Sequence, residues 1–113
     1  MKQETIVVDN KEWTVAIGKN REDNWQIIDA SEDSDIWFHV SNEASCHVVL
    51  KTTVKIGDIP KQVIKRCAYL CKINSKAKTS KTKVPIVYTQ IKNVEKGDHV
   101  GQVYTSSTKT VTV

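Results

Sequence analysis

Two apolar blocks in the first half of the chain constrain its fold most strongly. Residues 35–40 and 46–51 are rich in β-branched and aromatic side chains and flank a five-residue polar loop, which predicts a β-hairpin. If the loop is symmetric about Glu43, residue i lies opposite residue 86 − i, and side chains alternate between the two faces. One face is then wholly apolar and is predicted to pack against the core: Ile36, Phe38, Val40, Cys46, Val48 and Leu50.

The opposite face of this hairpin mixes aromatic and polar side chains. Its predicted pairs are Trp37 with Val49, His39 with His47, and Asp35 with Lys51. A face that serves only for packing does not require this mixture of polar and aromatic side chains. Trp37, His39 and His47 are therefore candidates for orienting a base or a loop. In the alternative interpretation, Trp37 covers a second small core and the histidines form hydrogen bonds that position a loop.

The start of the chain predicts a second hairpin. Residues 5–8 and 13–17 are β-rich, and Asp9 and Asn10 between them tolerate the backbone angles of a tight reversal. The segment around Trp25 that follows is dense in turn-forming residues and predicts only a loop or a short helix.

One helix is predicted over residues 59–72, with Asp58 as its N-cap and Pro60 in the first turn, where a missing N–H costs nothing. Its apolar residues recur at helical spacing, and the two cysteines among them are expected to be small core residues. The predicted buried stripe comprises Val63, Ile64, Cys67, Ala68, Leu70 and Cys71.

The last third of the chain predicts three more strands, over residues 84–89, 101–105 and 110–113. Pro85 cannot donate to a ladder, so it belongs at a strand start or on an edge. Taken together, the elements predict a single α+β domain over residues 1–113, a largely antiparallel sheet with one main helix packed on one face.

Length and composition narrow the class of protein. The 113 residues suffice for one core, and 39% hydrophobic content is ordinary for a globular domain. No apolar run reaches membrane-spanning length, and no secretory leader is evident. Three cysteines without zinc-like spacing argue against a disulfide framework or a structural metal, so a reducing cytoplasm is expected, with no cofactor.

The distribution of charge is more informative than the net charge of +4. Residues 1–59 carry a net charge of −5, whereas residues 60–83 carry eight basic residues and no acid. Such a segment is typical of a surface that contacts phosphates, although a solvated lysine-rich helix and loop would look the same. The candidate phosphate contacts are Lys61, Lys65, Arg66, Lys72, Lys76, Lys78, Lys81 and Lys83.

Catalytic signatures are absent: there is no phosphate-binding glycine loop, nucleophile elbow or zinc-protease motif. A nuclease or hydrolase that uses His39, His47 and Asp35 is the catalytic alternative, and it predicts turnover that is lost in His39→Ala. The same side chains could hold a metal, but two histidines do not make a site. Cys46 and His47 are adjacent in a strand and face opposite ways, which removes the geometry of an activated thiolate.

The blocks at 35–40 (Asp-Ile-Trp-Phe-His-Val) and 45–51 (Ser-Cys-His-Val-Val-Leu-Lys) resemble the NFACT-R domain family, named for predicted RNA binding. Gly18-Lys19-Asn20 and the closing strands resemble the family too, so the resemblance covers nearly the whole chain. It departs at Trp25, where the family usually has an acid, and at Cys46, which replaces a small residue. The resemblance implies a nucleic-acid-binding module, and larger family members engage tRNA on stalled large ribosomal subunits.

The leading hypothesis is therefore a non-catalytic RNA-binding module, with tRNA or the ribosome as partner and DNA still possible. The basic residues of 60–83 would contact phosphates, while Trp37, His39 and His47 would orient a base or a loop. The runner-up is a protein-interaction module that docks on an acidic or ribosomal partner, using the basic segment for steering and a sheet edge for specificity.

Overall fold

An antiparallel sheet organises the structure, a computed structural model that describes residues 2–41, 43, 45–76 and 78–113. The elements are β1 (Lys2–Val8), β2 (Lys11–Ile17), α1 (Arg21–Asp29), β3 (Ile36–Val40), β4 (Val48–Lys51), α2 (Lys61–Ile73), β5 (Pro85–Gln90), β6 (Val94–Lys96), β7 (Val103–Thr105) and β8 (Lys109–Thr112). Six strands form the sheet in the order β1-β2-β4-β3-β5-β8, and β6 pairs with β7 in a separate two-stranded ribbon. The predicted α+β class is confirmed.

The first hairpin turns where the sequence predicts. β1 and β2 pair in the register Ile6↔Trp13. Asp9 and Asn10 occupy the left-handed region, with φ of 54° and 64°, as a two-residue turn between twisted strands requires. Asn and Asp tolerate this conformation because their short polar side chains bond locally.

The register predicted for the β3–β4 hairpin is confirmed by the pairs Ile36↔Leu50, Trp37↔Val49 and Phe38↔Val48. All six residues of its predicted apolar face are buried in the main core beneath α2. On the other face, Lys51 Nζ lies 3.1 Å from Asp35 Oδ2, as the predicted pairing requires. Within the predicted loop, Asn42 and Ala44 lie outside the described residues.

The helix α2 packs its predicted apolar stripe on the sheet, where Val63, Cys67 and Cys71 are fully buried. The prediction of Asp58 as its N-cap is wrong, because Pro60 occupies that position and Asp58 ends a short 3₁₀ turn. The cause is Ile59, which is extended (φ −74°, ψ 130°); a residue before proline is disfavoured in helical geometry.

The second face of the sheet is covered as well, as in the alternative interpretation of Trp37. Residues 21–29 form the helix α1, whose start is capped by the side chain of Asn20. α1 and the β6–β7 ribbon enclose a second small core that includes Ile27, Trp37 and Val94. Neither helix of the described chain is long and apolar enough to cross a membrane.

Candidate nucleic-acid interface

A cleft of about 1220 Å³ opens beside the start of α1. Its floor includes Trp37, His39 and His47, which the sequence singled out together. Three cationic side chains line it, Lys19, Arg21 and Lys76, and no aspartate or glutamate is among the described residues that line it. The cleft therefore presents an excess of positive charge to a ligand.

The floor of the cleft is a cluster of three aromatic rings. Trp37 and His39 are stacked at 8° with centroids 5.5 Å apart. The ring of His47 stands nearly perpendicular to both, at centroid distances of 5.3 Å from Trp37 and 5.2 Å from His39. Trp37 and His47 are only 2% and 1% exposed, whereas His39 is half-buried, so His39 is the ring that a ligand reaches.

The tautomer of His39 follows from its backbone contact. Its Nδ1 lies 2.7 Å from the carbonyl oxygen of Val40, which can only accept, so Nδ1 carries the proton. Burial lowers the pKa of His39, with the Val40 hydrogen bond opposing that shift. Nε2 is then an acceptor, and it has no hydrogen bond to any residue that the structure describes.

His47 joins α1 to the floor through its backbone. Its N–H donates to Asn24 Oδ1 at 3.0 Å, and its carbonyl oxygen accepts from the N–H of Gly18 at 2.9 Å. Burial, and then the nearby charge of His39, lower the pKa of the His47 imidazole to about 3. Its Nδ1 and the Nε1 of Trp37 are buried without a hydrogen-bond partner in the described chain. The floor is therefore uncharged at neutral pH.

Glycine is required where the chain enters the cleft. A Cβ on Gly18 would collide with Asn24 Oδ1, the atom that accepts from His47. On the far wall, Gly101 has φ of +86° and lies against Arg21, leaving no room for a side chain. Both glycines allow close backbone approach.

The loop between β6 and β7 forms the far wall of the cleft. Trp25 of α1 fixes this loop, since its Nε1 donates to the carbonyl oxygen of Gln102 at 3.1 Å. Lys96 Nζ lies 5.2 Å from the Trp25 ring centroid, within cation–π range. Trp25, where the resembled family usually has an acid, thus has a structural role here.

The predicted phosphate contacts form a largely exposed surface, called here the basic face and defined by the eight basic residues of 60–83. Seven of the eight are exposed; the exception is Lys72, which is half-buried and donates to the carbonyl oxygen of Val113 at 3.2 Å. Tyr69 is 52% exposed on the same helix. Lys76 belongs to both the basic face and the cleft, so the two surfaces meet at that residue.

A smaller hollow of about 570 Å³ continues the basic face beyond Lys76. Lys76 and Lys83 line it together with Ser80 and Thr82, and the acidic residue Glu43 lines it as well. Polar and cationic groups therefore continue from the cleft along the loop after α2.

Asp35, the carboxylate of the catalytic alternative, is engaged elsewhere. Asp35 Oδ2 accepts from Lys51 Nζ at 3.1 Å and from the N–H of Glu32 at 2.9 Å, while Oδ1 accepts from the N–H of Thr52 at 3.0 Å. Across the described ranges, no three His, Cys, Asp or Glu side chains are grouped to hold a metal. Cys46 points into the main core, in contact with Cys71.

The sequence did not single out Lys19, Arg21 or Asn24 as site residues, although they complete the cleft. Asn24 is buried, and Lys19 and Arg21 are exposed at the start of α1. The available signal was the turn Gly18-Lys19-Asn20, in which Asn20 is the N-cap of a helix. It was recognised only as part of the family resemblance.

Comparison with known proteins fits these observations. Residues 5–108 match the family described as NFACT protein RNA binding domain. The chain is 38% identical over 91 residues to coiled-coil domain-containing protein 25 of Mus musculus, covering 79% of this chain and 44% of that protein. It is 33% identical over 84 residues to the Rqc2 homolog RqcH of Bacillus subtilis, covering 74% of this chain and 14% of that protein.

A solved structure supports the same assignment. The C-terminal part of the fibronectin/fibrinogen-binding protein from Streptococcus suis superposes with a TM-score of 0.84 at 26% identity, covering all of this chain and 45% of that one. The chain thus spans less than half the length of these relatives. On the family match and the identity to its relatives, this chain belongs to the NFACT-R family of RNA-binding domains.

Proposed function

We propose that the chain is a non-catalytic RNA-binding module that acts in a ribosome-associated process in the cytoplasm. The RNA backbone lies along the basic face, and Trp37, His39 and His47 shape the place where a base is oriented. tRNA is the first RNA to test, because larger members of the resembled family engage tRNA.

One observation carries this proposal: the acid-free segment 60–83 folds into an exposed cationic surface that continues into a cleft without a described carboxylate. Lysines placed along a helix and a loop can neutralise successive phosphates and release their counterions, which is the main source of sequence-independent affinity for nucleic acid. Membership of the RNA-binding family supports the same ligand.

The link to ribosome quality control is supported by the similarity to RqcH, whose name marks it as an Rqc2 homolog. That relative is far longer than this chain, so the activity of the whole protein belongs to the proposal. Co-sedimentation with large ribosomal subunits provides the direct test of this part.

A second candidate function is docking on an acidic protein. Tyr69 and Ile73 lie one turn apart on α2 and are 52% and 37% exposed, a combination that also suits a protein interface. In that case, lysine substitutions would abolish partner binding while no RNA signal would exist to be lost.

The experiment is a fluorescence-anisotropy titration of labelled tRNA and single-stranded RNA. The variant Lys76→Glu/Lys78→Glu/Lys81→Glu/Lys83→Glu reverses four positive charges of the basic face. The control is Lys55→Glu/Lys92→Glu, because both lysines are exposed and lie outside the basic face and the cleft. Binding that is lost only in the first variant supports the proposal, and absence of RNA binding at low salt contradicts it.

A further inference from the structure

We propose that the cleft holds one unpaired ribonucleotide of the bound RNA, its phosphate against Lys19, Arg21 and Lys76 and one of its hydrogen-bond donors at Nε2 of His39. This inference rests on the proposed function and specifies its ligand. It also gives a role in RNA binding to Lys19, Arg21 and Nε2 of His39, none of which belongs to the basic face.

The charge of the cleft favours a phosphate. Lys19 and Arg21 approach it from the start of α1, and Lys76 approaches it from the loop after α2. The described lining residues include three cations and no acid, so the lining carries a net positive charge that attracts a phosphodiester; the acid Asp23 lies beside it, with its Oδ2 accepting from the N–H of Lys19 at 3.2 Å. An arginine fork also matches phosphate oxygens in geometry.

The size of the cleft fits a nucleotide rather than a phosphate alone. Its volume of about 1220 Å³ leaves room for a whole nucleotide, since sites of roughly 300–1,000 Å³ already hold small-molecule ligands. The half-buried ring of His39 lets the base or the sugar of that nucleotide contact the aromatic floor, as aromatic side chains do in single-strand recognition. A duplex cannot place a base there without unpairing it.

The fixed tautomer of His39 determines that this side chain binds a hydrogen-bond donor of the ligand. Because Nδ1 is held by the carbonyl oxygen of Val40, only the acceptor Nε2 is offered to a ligand. A nucleotide supplies two kinds of donor, an exocyclic amino group and the ribose 2′-hydroxyl. The hydroxyl is the group that separates RNA from DNA at a site.

Lys76 connects the two surfaces. An RNA strand that follows the basic face along the loop after α2 reaches Lys76 and can turn its next nucleotide into the cleft. The same strand then gains affinity from the basic face and selectivity from the cleft.

The first test observes the unaltered protein. The ¹⁵N resonances of the His39 ring are recorded by NMR with saturating single-stranded RNA decamers of different base composition, and with DNA decamers of the same sequences. A shift of Nε2 with RNA alone indicates the 2′-hydroxyl, and a shift with both, dependent on the base, indicates the amino group. A resonance that stays unchanged in a saturated RNA complex overturns the inference.

The second test uses variants and anisotropy. His39→Phe keeps a ring but removes the acceptor, and is expected to weaken RNA binding about fivefold. Lys19→Ala/Arg21→Ala is expected to weaken it by more than about tenfold, while Lys55→Ala/Lys92→Ala changes it little. If all variants bind RNA like the unaltered protein, the cleft inference fails and the proposed function stands. If the unaltered protein binds no RNA, the proposed function itself fails.

Discussion

The rings of His39 and His47 lie 5.2 Å apart, nearly perpendicular to each other, at the floor of the cleft. Burial lowers the pKa of both imidazoles. The result is an uncharged aromatic floor surrounded by the cationic side chains Lys19, Arg21 and Lys76. The cations supply attraction for a phosphate, and the floor supplies shape and a hydrogen-bond acceptor.

Stability is expected to fall as the solution becomes acidic. The pKa of His47 is about 3 in the folded chain, against about 6.5 when unfolded. Between these values the unfolded state binds the additional proton, so acid favours unfolding. This one group should lower the free energy of unfolding by about 1.4 kcal/mol for each pH unit below 6.5, an effect that is absent above it.

Urea unfolding at pH 7, 6 and 5 measures this dependence, with His47→Gln as the variant that should flatten it. His99→Gln serves as the control, because His99 is an exposed histidine. A slope that is unchanged by His47→Gln would contradict the assignment of the proton uptake to His47.

Gly18→Ala is expected to destabilise the cleft. The added methyl group displaces the Asn24 side chain, so the N–H of His47 loses its acceptor. The cost should be about 1–3 kcal/mol of unfolding free energy, as for an unsatisfied buried donor. Gly57→Ala is the matched control, since a Cβ there has no heavy atom within 4 Å. Equal effects of the two substitutions would refute the close contact at Gly18.

Asp35→Asn is expected to lower the free energy of unfolding by about 2 kcal/mol, because a buried carboxylate that accepts three hydrogen bonds becomes an amide that both donates and accepts. The comparison is Asp29→Asn, which breaks the exposed ion pair of Asp29 with Lys96. That loss should stay within about 0.5 kcal/mol. Urea midpoints measure both losses of stability. A larger loss for Asp29→Asn than for Asp35→Asn would contradict the prediction that the buried Asp35 contributes more to stability than the exposed ion pair.

The thiol of Cys67 should be unreactive in the folded protein. Burial raises its pKa to about 12, and the side chain is fully buried, so neither thiolate nor access is available at pH 7. A chromogenic disulfide reagent should label Cys67 only when urea unfolds the chain. Rapid labelling of Cys67 without denaturant would show that α2 does not pack on the sheet as described.

The β3–β4 hairpin shows what sequence pattern alone can predict. The positions that face α2 are all apolar, and together with the loop centred on Glu43 they specified one register, because a shift by one residue would move Phe38 off that face. The helical stripe of α2 was predictable for the same reason, since its period matches one buried face. These are local patterns repeated over several residues.

The features that the sequence left open or missed depend on neighbours distant in the chain. α1 is a weakly patterned helix, and its packing against the β6–β7 ribbon stabilises it through the contact of Trp25 with Gln102. Lys19 and Lys76 are 57 positions apart in sequence and come together only in the fold. Burial of Trp37 likewise depends on the second core, which sequence reasoning had offered only as an alternative.

The salt dependence of RNA binding tests the central claim most directly. The affinity for a single-stranded RNA is measured between low and physiological salt and plotted as log K against log salt concentration. About five phosphate contacts on the basic face and in the cleft predict a slope near −3 to −4, at about −0.7 for each contact. A slope near zero would contradict an interface built on phosphate contacts.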